Sequence, residues 1–367
     1  MKDRLVSLDA LRGFDMLFIM GFASLVAVLC RIFPNEITLA IGASMDHVEW
    51  NGLNHHDTIF PLFLFLAGVS FPFSLAKQRE KGMTSAQIHK KIIRRGLTLV
   101  LLGIIYNGLF DLRFDTLRCA SVLGRIGLAW MFGALLFIHF SRRFRLGLSA
   151  FILIVYGVIS KYVAAPDVPG ADPLSMEGCL VGYIDRLFLP GYLYVDNRFD
   201  PEGLLSVVPA IVTAMLGMFT GELLKRPESE ISGNKKTIYM LMASMGCTVL
   251  ATVFHPILPI NKMLWSSTFV CAVGAYSFFM MALFYYLIDV KKWRRGCFFF
   301  QVIGMNSITI YLAQRIVNFT DIAHFFTGGL QHYCDKQWGY VILLIGYIAV
   351  CWLFLYFLYR KNTFLKV

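Results

Sequence analysis

Residues Thr58–Ala76 read TIFPLFLFLAGVSFPFSLA, nineteen residues without one charged side chain. At about 1.5 Å per residue, a helix of that length approaches the thickness of a bilayer's hydrocarbon core. The stretch just before it, Met45–Asp57, reads MDHVEWNGLNHHD and carries three of the chain's eight histidines. Titratable groups set against a membrane-length apolar run are expensive to keep. His47, Glu49, His55, His56 and Asp57 fall within eleven residues, a density that a structural role seldom needs. The sequence thus predicts its chemical centre here.

Runs of similar length recur along the chain, which has 367 residues, is 57% hydrophobic and has a mean hydropathy of +0.63. Charged residues make up 16%, fewer than a soluble domain carries. The predicted fold class is therefore all-α, a polytopic transmembrane helical bundle of ten to eleven spans forming one membrane domain over residues 1–367. The ten runs are Gly13–Cys30, Thr58–Ala76, Gly96–Phe110, Cys119–Phe140, Leu146–Tyr162, Gly203–Leu224, Thr237–Phe254, Leu264–Ile288, Cys297–Leu312 and Gly339–Tyr359. An eleventh, half-length helix fits the Glu36–Asp46 loop or the region around Asp185–Leu189. Met1–Arg12 is polar and basic without a small-residue cleavage site, so the first run is expected to stay as an anchor.

The net charge of +11 invites a nucleic-acid reading, but the distribution of the basic residues argues against one. The amino-terminal, carboxy-terminal and alternate loop segments carry 24 Lys and Arg, against 8 in the opposite loops. That asymmetry predicts both termini in the cytoplasm and Met45–Asp57 on the far side. The longest far-side loop, Val163–Glu202, is rich in Pro, Gly and Asp and reads as ordered turns or a mobile lid. The eight Cys show no zinc spacing, and Cys179 and Cys334, in loops on one side, leave a disulfide open.

Each polar site has a plain reading beside the functional one. Arg12 can be an ordinary cytoplasmic anchor, a partner of Asp9 or Asp15, or a phosphate ligand. His47 can be an interfacial histidine beside an aromatic-belt Trp50, or a catalytic group. Adjacent His55 and His56 diverge by about 100° on a helix and cannot both face one pocket. Asp57 is placed to orient a histidine. The His and Asp residues lack a firm metal-ligand pattern, and no metal is expected. Arg125 lies about one to two turns inside its span, where it snorkels or lines a polar cavity. Asp200 and Glu202 can cap the sixth span or bind substrate. Asn306 and Ser307 can be interhelical glue or the lining of a ligand path.

Six motifs carry a resemblance. They are Leu11-Arg12-Gly13, His47-x-x-Trp50-Asn51-Gly52-Leu53, Asp57-x-x-Phe60-Pro61-x-Phe63-x-Phe65, Val122-Leu123-x-Arg125-Ile126-Gly127, Asp200-Pro201-Glu202-Gly203 and Gly304-Met305-Asn306-Ser307. In this order, over nearly the whole chain, they resemble the transmembrane acyltransferases, namely the heparan-α-glucosaminide N-acetyltransferases and their bacterial homologues. The resemblance implies that His47 is the active-site histidine and acetyl-CoA the donor. It also implies that the acceptor is the amine of a terminal glucosamine across the membrane, here a bacterial inner membrane. The family's lysosomal enzyme has a large amino-terminal lumenal region with no counterpart in this sequence. An Asn of its first span is replaced by small residues near Ala23 and Ser24, and the connection before His47 is longer.

The expected catalytic set is His47, Asp57 and Asn51, with His47 as general base or as acetyl-carrying nucleophile. Asn51 or Asn306 would donate to the developing oxyanion. The donor set is Arg12, Arg94, Arg95, Arg125, Asn306 and Ser307, and the acceptor set is Trp50, Asp200 and Glu202. The partners are the lipid bilayer and an aminosugar or glycan acceptor, with no nucleic acid and a homodimer left open. Two rival readings are an O-acyltransferase acting on a periplasmic polysaccharide and a proton-coupled transporter. The second would show internal repeats with paired broken spans, and the sequence shows none.

Overall fold

Long apolar runs with few breakers satisfy their own backbone only as helices, and the computed structural model, which describes residues 5–365, is predominantly helical. The elements are α1 (Val6–Leu17), α2 (Ala23–Ile32), α3 (Glu36–Ala43), α4 (His55–Glu80), α5 (Ser85–Tyr106), α6 (Val122–His139), α7 (Arg142–Tyr162), α8 (Leu180–Phe188), α9 (Val207–Lys225), α10 (Gly233–Phe254), α11 (Ser267–Phe284), α12 (Cys297–Met305), α13 (Ser307–Ile316), α14 (Phe319–His332) and α15 (Lys336–Arg360). A π-helical turn, Phe18–Phe22, joins α1 to α2, and another, Tyr285–Val290, extends α11. Among the described residues, β structure is limited to isolated bridges, Arg118 to Gly191, Ala164 to Cys179 and Val195 to Phe199.

Eight helices among the described residues are long and apolar enough to cross a membrane. A ninth crossing is available if α12 and α13, bent by 67° at Asn306, count as one broken span. The chain is a polytopic helical membrane protein. The expected Gly96–Phe110 run falls mostly in α5, which starts at Ser85, ends at Tyr106 and is of spanning length. Its first half carries Lys90, Lys91, Arg94 and Arg95, so it lacks the apolar composition of the other eight. The single half-length helix expected near Glu36 or Asp185 is matched by short helices at both places, α3 and α8. All eight cysteines are free thiols, Cys179 and Cys334 included. Lys2, Arg4 and Lys366, which entered the charge asymmetry, lie outside the described residues.

The chain forms two compact units. The first contains the residues up to Val48, Asn54–Ile59 and the chain from Met280 onward. Here α1 crosses α12 at two glycines. A Cβ on Gly13 would fall 1.8 Å from the Phe300 carbonyl oxygen, and one on Gly304 would fall 1.9 Å from that of Asp9. Only hydrogen fits at such a crossing, as is common where membrane helices meet. Helical Cβ atoms tilt toward the amino terminus, and each here meets the preceding turn of its partner, so the two helices run in the same direction. The Phe14 ring packs on Phe18, Phe284 and Phe300. α14 and α15 form a hairpin, and Trp352 of α15 stacks on Phe299 at 5.6 Å.

The second unit contains Glu49–Leu53 and Phe60–Phe279. Buried aromatic groups find polar partners there: Trp130 Nε1 donates to the Ala67 carbonyl at 3.2 Å and Trp265 Nε1 to Thr213 Oγ1 at 3.3 Å. Arg145 is buried in α7, donates to Glu222 at 2.6 Å and lies 4.1 Å over the Phe137 ring. The loop from Val163 to Ser206 is built of turns around α8. Its core is Tyr156, Cys179, Val181, Phe199 and Leu264, with Trp50 packed against it.

Candidate active site

The loop of residues 46–54 has no regular structure, and α4 begins at His55. Asp57 therefore sits in the first helical turn rather than ahead of the span. Asn54, three residues earlier, occupies the capping position. Asp57 Oδ2 accepts the Asn54 backbone N–H at 3.1 Å, which is half of a capping box. The same oxygen accepts the Val48 N–H at 3.3 Å. A carboxylate also suits the positive end of a helix. The local sequence thus reserves Oδ1 for another donor, and that donor is His47 Nδ1 at 2.7 Å.

Burial divides the pair: the His47 side chain is 48% exposed and that of Asp57 is 0% exposed. A buried carboxylate holding Nδ1 sets both the ring's orientation and its tautomer. The proton stays on Nδ1, and Nε2 keeps the lone pair. The loop is tied down by Asn54, whose side chain donates to the Ala43 and Asp46 carbonyls at 3.1 and 2.9 Å. The His56 N–H reaches the Ser44 carbonyl at 3.1 Å. Asn54 was absent from the residues expected at the site, although its spacing to Asp57 carried the signal.

His55 and His56 diverge as their adjacency requires. The His56 ring lies 4.5 Å from that of His47, centroid to centroid, whereas His55 packs against Phe18 at 4.4 Å.

Asn51 and Trp50 belong to the second unit. Asn51 Oδ1 accepts from Asn261 Nδ2 at 3.1 Å, which turns the amide toward donating from its NH2 end. Nothing local in the sequence marked Asn261, 210 residues away. Trp50 Nε1 donates to the Leu174 carbonyl at 2.8 Å and its ring packs on Phe199.

Asp200 and Glu202 do not cap a helix. α9 begins at Val207, and its capping residue Ser206 makes no side-chain cap. Asp200 is fully buried and takes both arms of Arg118, Nε to Oδ2 at 2.8 Å and Nη2 to Oδ1 at 2.6 Å. It also accepts the Tyr194 and Glu202 N–H groups, at 3.2 and 2.9 Å. Glu202 closes on the same guanidinium. Burial alone would lower the Arg118 pKa, but the hydrogen bonds and charges of Asp200 and Glu202 outweigh it and raise it. Arg125, 2% exposed, donates to the Pro201 carbonyl and Ser206 Oγ, with its guanidinium 4.7 Å over the Trp265 ring. Asp185 accepts the Leu204 N–H at 2.8 Å, and burial pushes its carboxyl up to about 7. Of this cluster the sequence singled out Arg125, Asp200 and Glu202 as site candidates, but neither Arg118 nor the pairing itself.

Of the donor-side residues, Arg12 is partly buried in α1, Arg94 is exposed, and Arg95 lies 4.2 Å over the Trp130 ring. Asn306 sits at the α12–α13 bend, 2% exposed, with Oδ1 accepting from Thr309 at 3.3 Å. Its Nδ2 has no hydrogen-bond partner among the described residues. Ser307, next to it, is 8% exposed. Arg12, Asn306 and Ser307 belong to the first unit, and Arg94, Arg95 and Arg125 to the second.

No family model matches the chain. Two curated proteins align with 88% of it, both heparan-alpha-glucosaminide N-acetyltransferases. The one from Mus musculus is 27% identical over 385 residues and the one from Homo sapiens is 26% identical over 386. The aligned part covers 56% and 55% of those proteins, so the chain spans about half the length of the curated relatives it matches.

Proposed function

We propose that this chain, a homologue of the heparan-alpha-glucosaminide N-acetyltransferases, is a membrane-embedded acetyltransferase. It moves an acetyl group from acetyl-CoA to the amine of a terminal glucosamine or similar aminosugar. The observation that carries the reading is the 2.7 Å bond from His47 Nδ1 to the buried Asp57. A half-exposed imidazole held in one tautomer by a buried carboxylate is the arrangement acyl transfer needs from a base or nucleophile.

In the first course, Nε2 takes a proton from the acceptor amine. The amine nitrogen attacks the thioester carbonyl, the carbon–sulfur bond breaks, and the CoA thiolate leaves with the proton held by the imidazolium. In the second, Nε2 attacks the thioester, releases CoA and passes the acetyl group to the amine. Both end in an amide and CoA thiol. The Asn51 NH2 donates to the oxyanion, with the buried Asn306 NH2 as the second candidate. Arg12, Arg94 and Arg95 bind the donor's phosphates, and Arg125, Asn306 and Ser307 line its path. Trp50, Asp200 and Glu202 act on the acceptor side through the loop they hold. CoA is multiply anionic and cannot cross a bilayer, so the donor binds from the cytoplasm and the acceptor from the periplasm of a bacterial inner membrane. The 24-to-8 charge asymmetry supports that sidedness.

The test uses the purified full chain, acetyl-labelled acetyl-CoA and glucosamine. Label should appear on the amine, and His47→Ala should lower turnover by about 100-fold or more. Near-normal turnover in that variant removes His47 from the chemistry. In intact right-side-out vesicles, acetyl-CoA loaded inside should acetylate an impermeant aminosugar outside. Reaction at full rate with both reagents outside rules out the transmembrane route.

A further inference from the structure

A cavity of about 480 Å³ lies within the second unit, where α4, α6 and α9 end and α7 begins. Spans that turn at one level put that level at the membrane interface, where lipid headgroups lie. Four cations line the cavity, Arg79, Arg142, Lys225 and Arg226, together with the acids Glu222 and Glu230. The buried Arg145 donates to Glu222 Oε1 at 2.6 Å and offsets its charge, which leaves the lining cationic. Arg79, Lys225 and Arg226 are exposed and make no ion pair among the described residues. The other carboxylate oxygen, Glu222 Oε2, is buried and has no hydrogen-bond partner among the described residues. Arg142 Nε stands 4.0 Å from it, too far to donate.

A buried acceptor without a donor is costly, so a ligand that brings an O–H or N–H is favoured beside Glu222. The cations around it suit a phosphate, which the planar fork of an arginine binds well. We infer that this cavity holds the headgroup of an anionic phospholipid with free hydroxyls, of which phosphatidylglycerol is the simplest. Its phosphate sits among Arg79, Lys225 and Arg226, and a headgroup hydroxyl donates to Glu222 Oε2. Basic pockets between membrane helices at the cytoplasmic face bind such headgroups, and the charge asymmetry directs this end of the spans to the cytoplasm. α7, which starts at the cavity with Arg142, exposes Phe144, Phe151 and Ile154 along its length, an apolar surface for the acyl chains. The inference does not depend on the acetyltransferase reading, since the lining includes none of the proposed phosphate ligands of the donor, Arg12, Arg94 and Arg95.

Native mass spectrometry of the full chain in a neutral detergent tests this with phosphatidylglycerol, phosphatidylmethanol, phosphatidylcholine and inorganic phosphate. Phosphatidylmethanol keeps the charge and lacks the hydroxyls. Phosphatidylglycerol should bind about tenfold tighter than either other lipid, the worth of one charge-assisted hydrogen bond. Inorganic phosphate at the same concentration should not displace it. Arg79→Gln and Arg226→Gln should each weaken phosphatidylglycerol about tenfold, and Arg226→Lys should keep part of what Arg226→Gln loses. Arg143→Gln, exposed and outside the lining, should change nothing. These side chains are exposed, so the unfolding midpoints without lipid should match that of the unaltered protein. Phosphatidylmethanol or phosphatidylcholine binding as tightly as phosphatidylglycerol, or displacement by inorganic phosphate, overturns the site. A loss as large in Arg143→Gln as in Arg226→Gln also overturns it and leaves a diffuse attraction to the charged surface.

Discussion

Asp57 is fully buried and receives the Nδ1 proton of the half-exposed His47 at 2.7 Å, while its other oxygen caps α4 through the Asn54 N–H. One carboxylate thus starts a helix and orients a base, which couples the geometry of the imidazole to the first turn of α4.

Asp57→Asn separates these tasks. The amide can still accept the Asn54 N–H, but its NH2 donates to Nδ1 and moves the imidazole proton to Nε2. Turnover should fall by about 10²- to 10⁴-fold with little loss of thermal stability. A fall in stability with turnover intact would make Asp57 a cap and nothing more.

His55 and His56 should part company. His56→Ala removes the ring beside His47 and should lower kcat by about tenfold, since misplacing a base is costly. His55→Ala removes a ring from Phe18 and should cost about 1 kcal/mol of stability with kcat nearly kept. Kinetics and thermal unfolding of both variants check this, and equal kinetic defects would contradict the observed divergence.

Arg118→Gln should destabilise the second unit by about 3–5 kcal/mol, because Asp200 stays buried and loses its counter-charge. Adding Asp200→Asn should recover part of that loss. The readout is the unfolding midpoint in detergent; a double variant no better than the single one would show that packing, not charge, carries the effect.

Stability should also depend on pH through Asp185. Burial raises its folded pKa to about 7, above the ordinary carboxylate value of about 4. Between these values the folded state holds a proton that the unfolded state has released. The contribution is therefore full below about pH 4 and is lost as pH rises to about 7. Asp185→Asn should flatten the unfolding midpoint across that window, and an unchanged slope would show that another group sets it.

Much of this was legible in the sequence. The apolar runs located the helices, since hydropathy over twenty residues is a local property. The spacing of Asn54 and Asp57 already contained a helix start, and adjacency alone separated His55 from His56. Gly13 and Gly304 were visible as motif residues, but not as the two halves of one crossing. The charged start of α5 and the bend at Asn306 lowered the number of clear spans below the ten read from hydropathy.

What the sequence determined by itself was therefore short-range: a helical membrane protein, the polar loop before α4, and the caps that place Asp57. What only the tertiary structure decided was which side chains meet. Arg118 finds Asp200 across 82 positions and Asn51 finds Asn261 across 210. Asp200 and Glu202, readable as helix caps, became counter-charges to a guanidinium. Capping and hydropathy act within a few turns of one helix. A buried ion pair depends on how helices and loops pack, and no property of either segment alone encodes its partner.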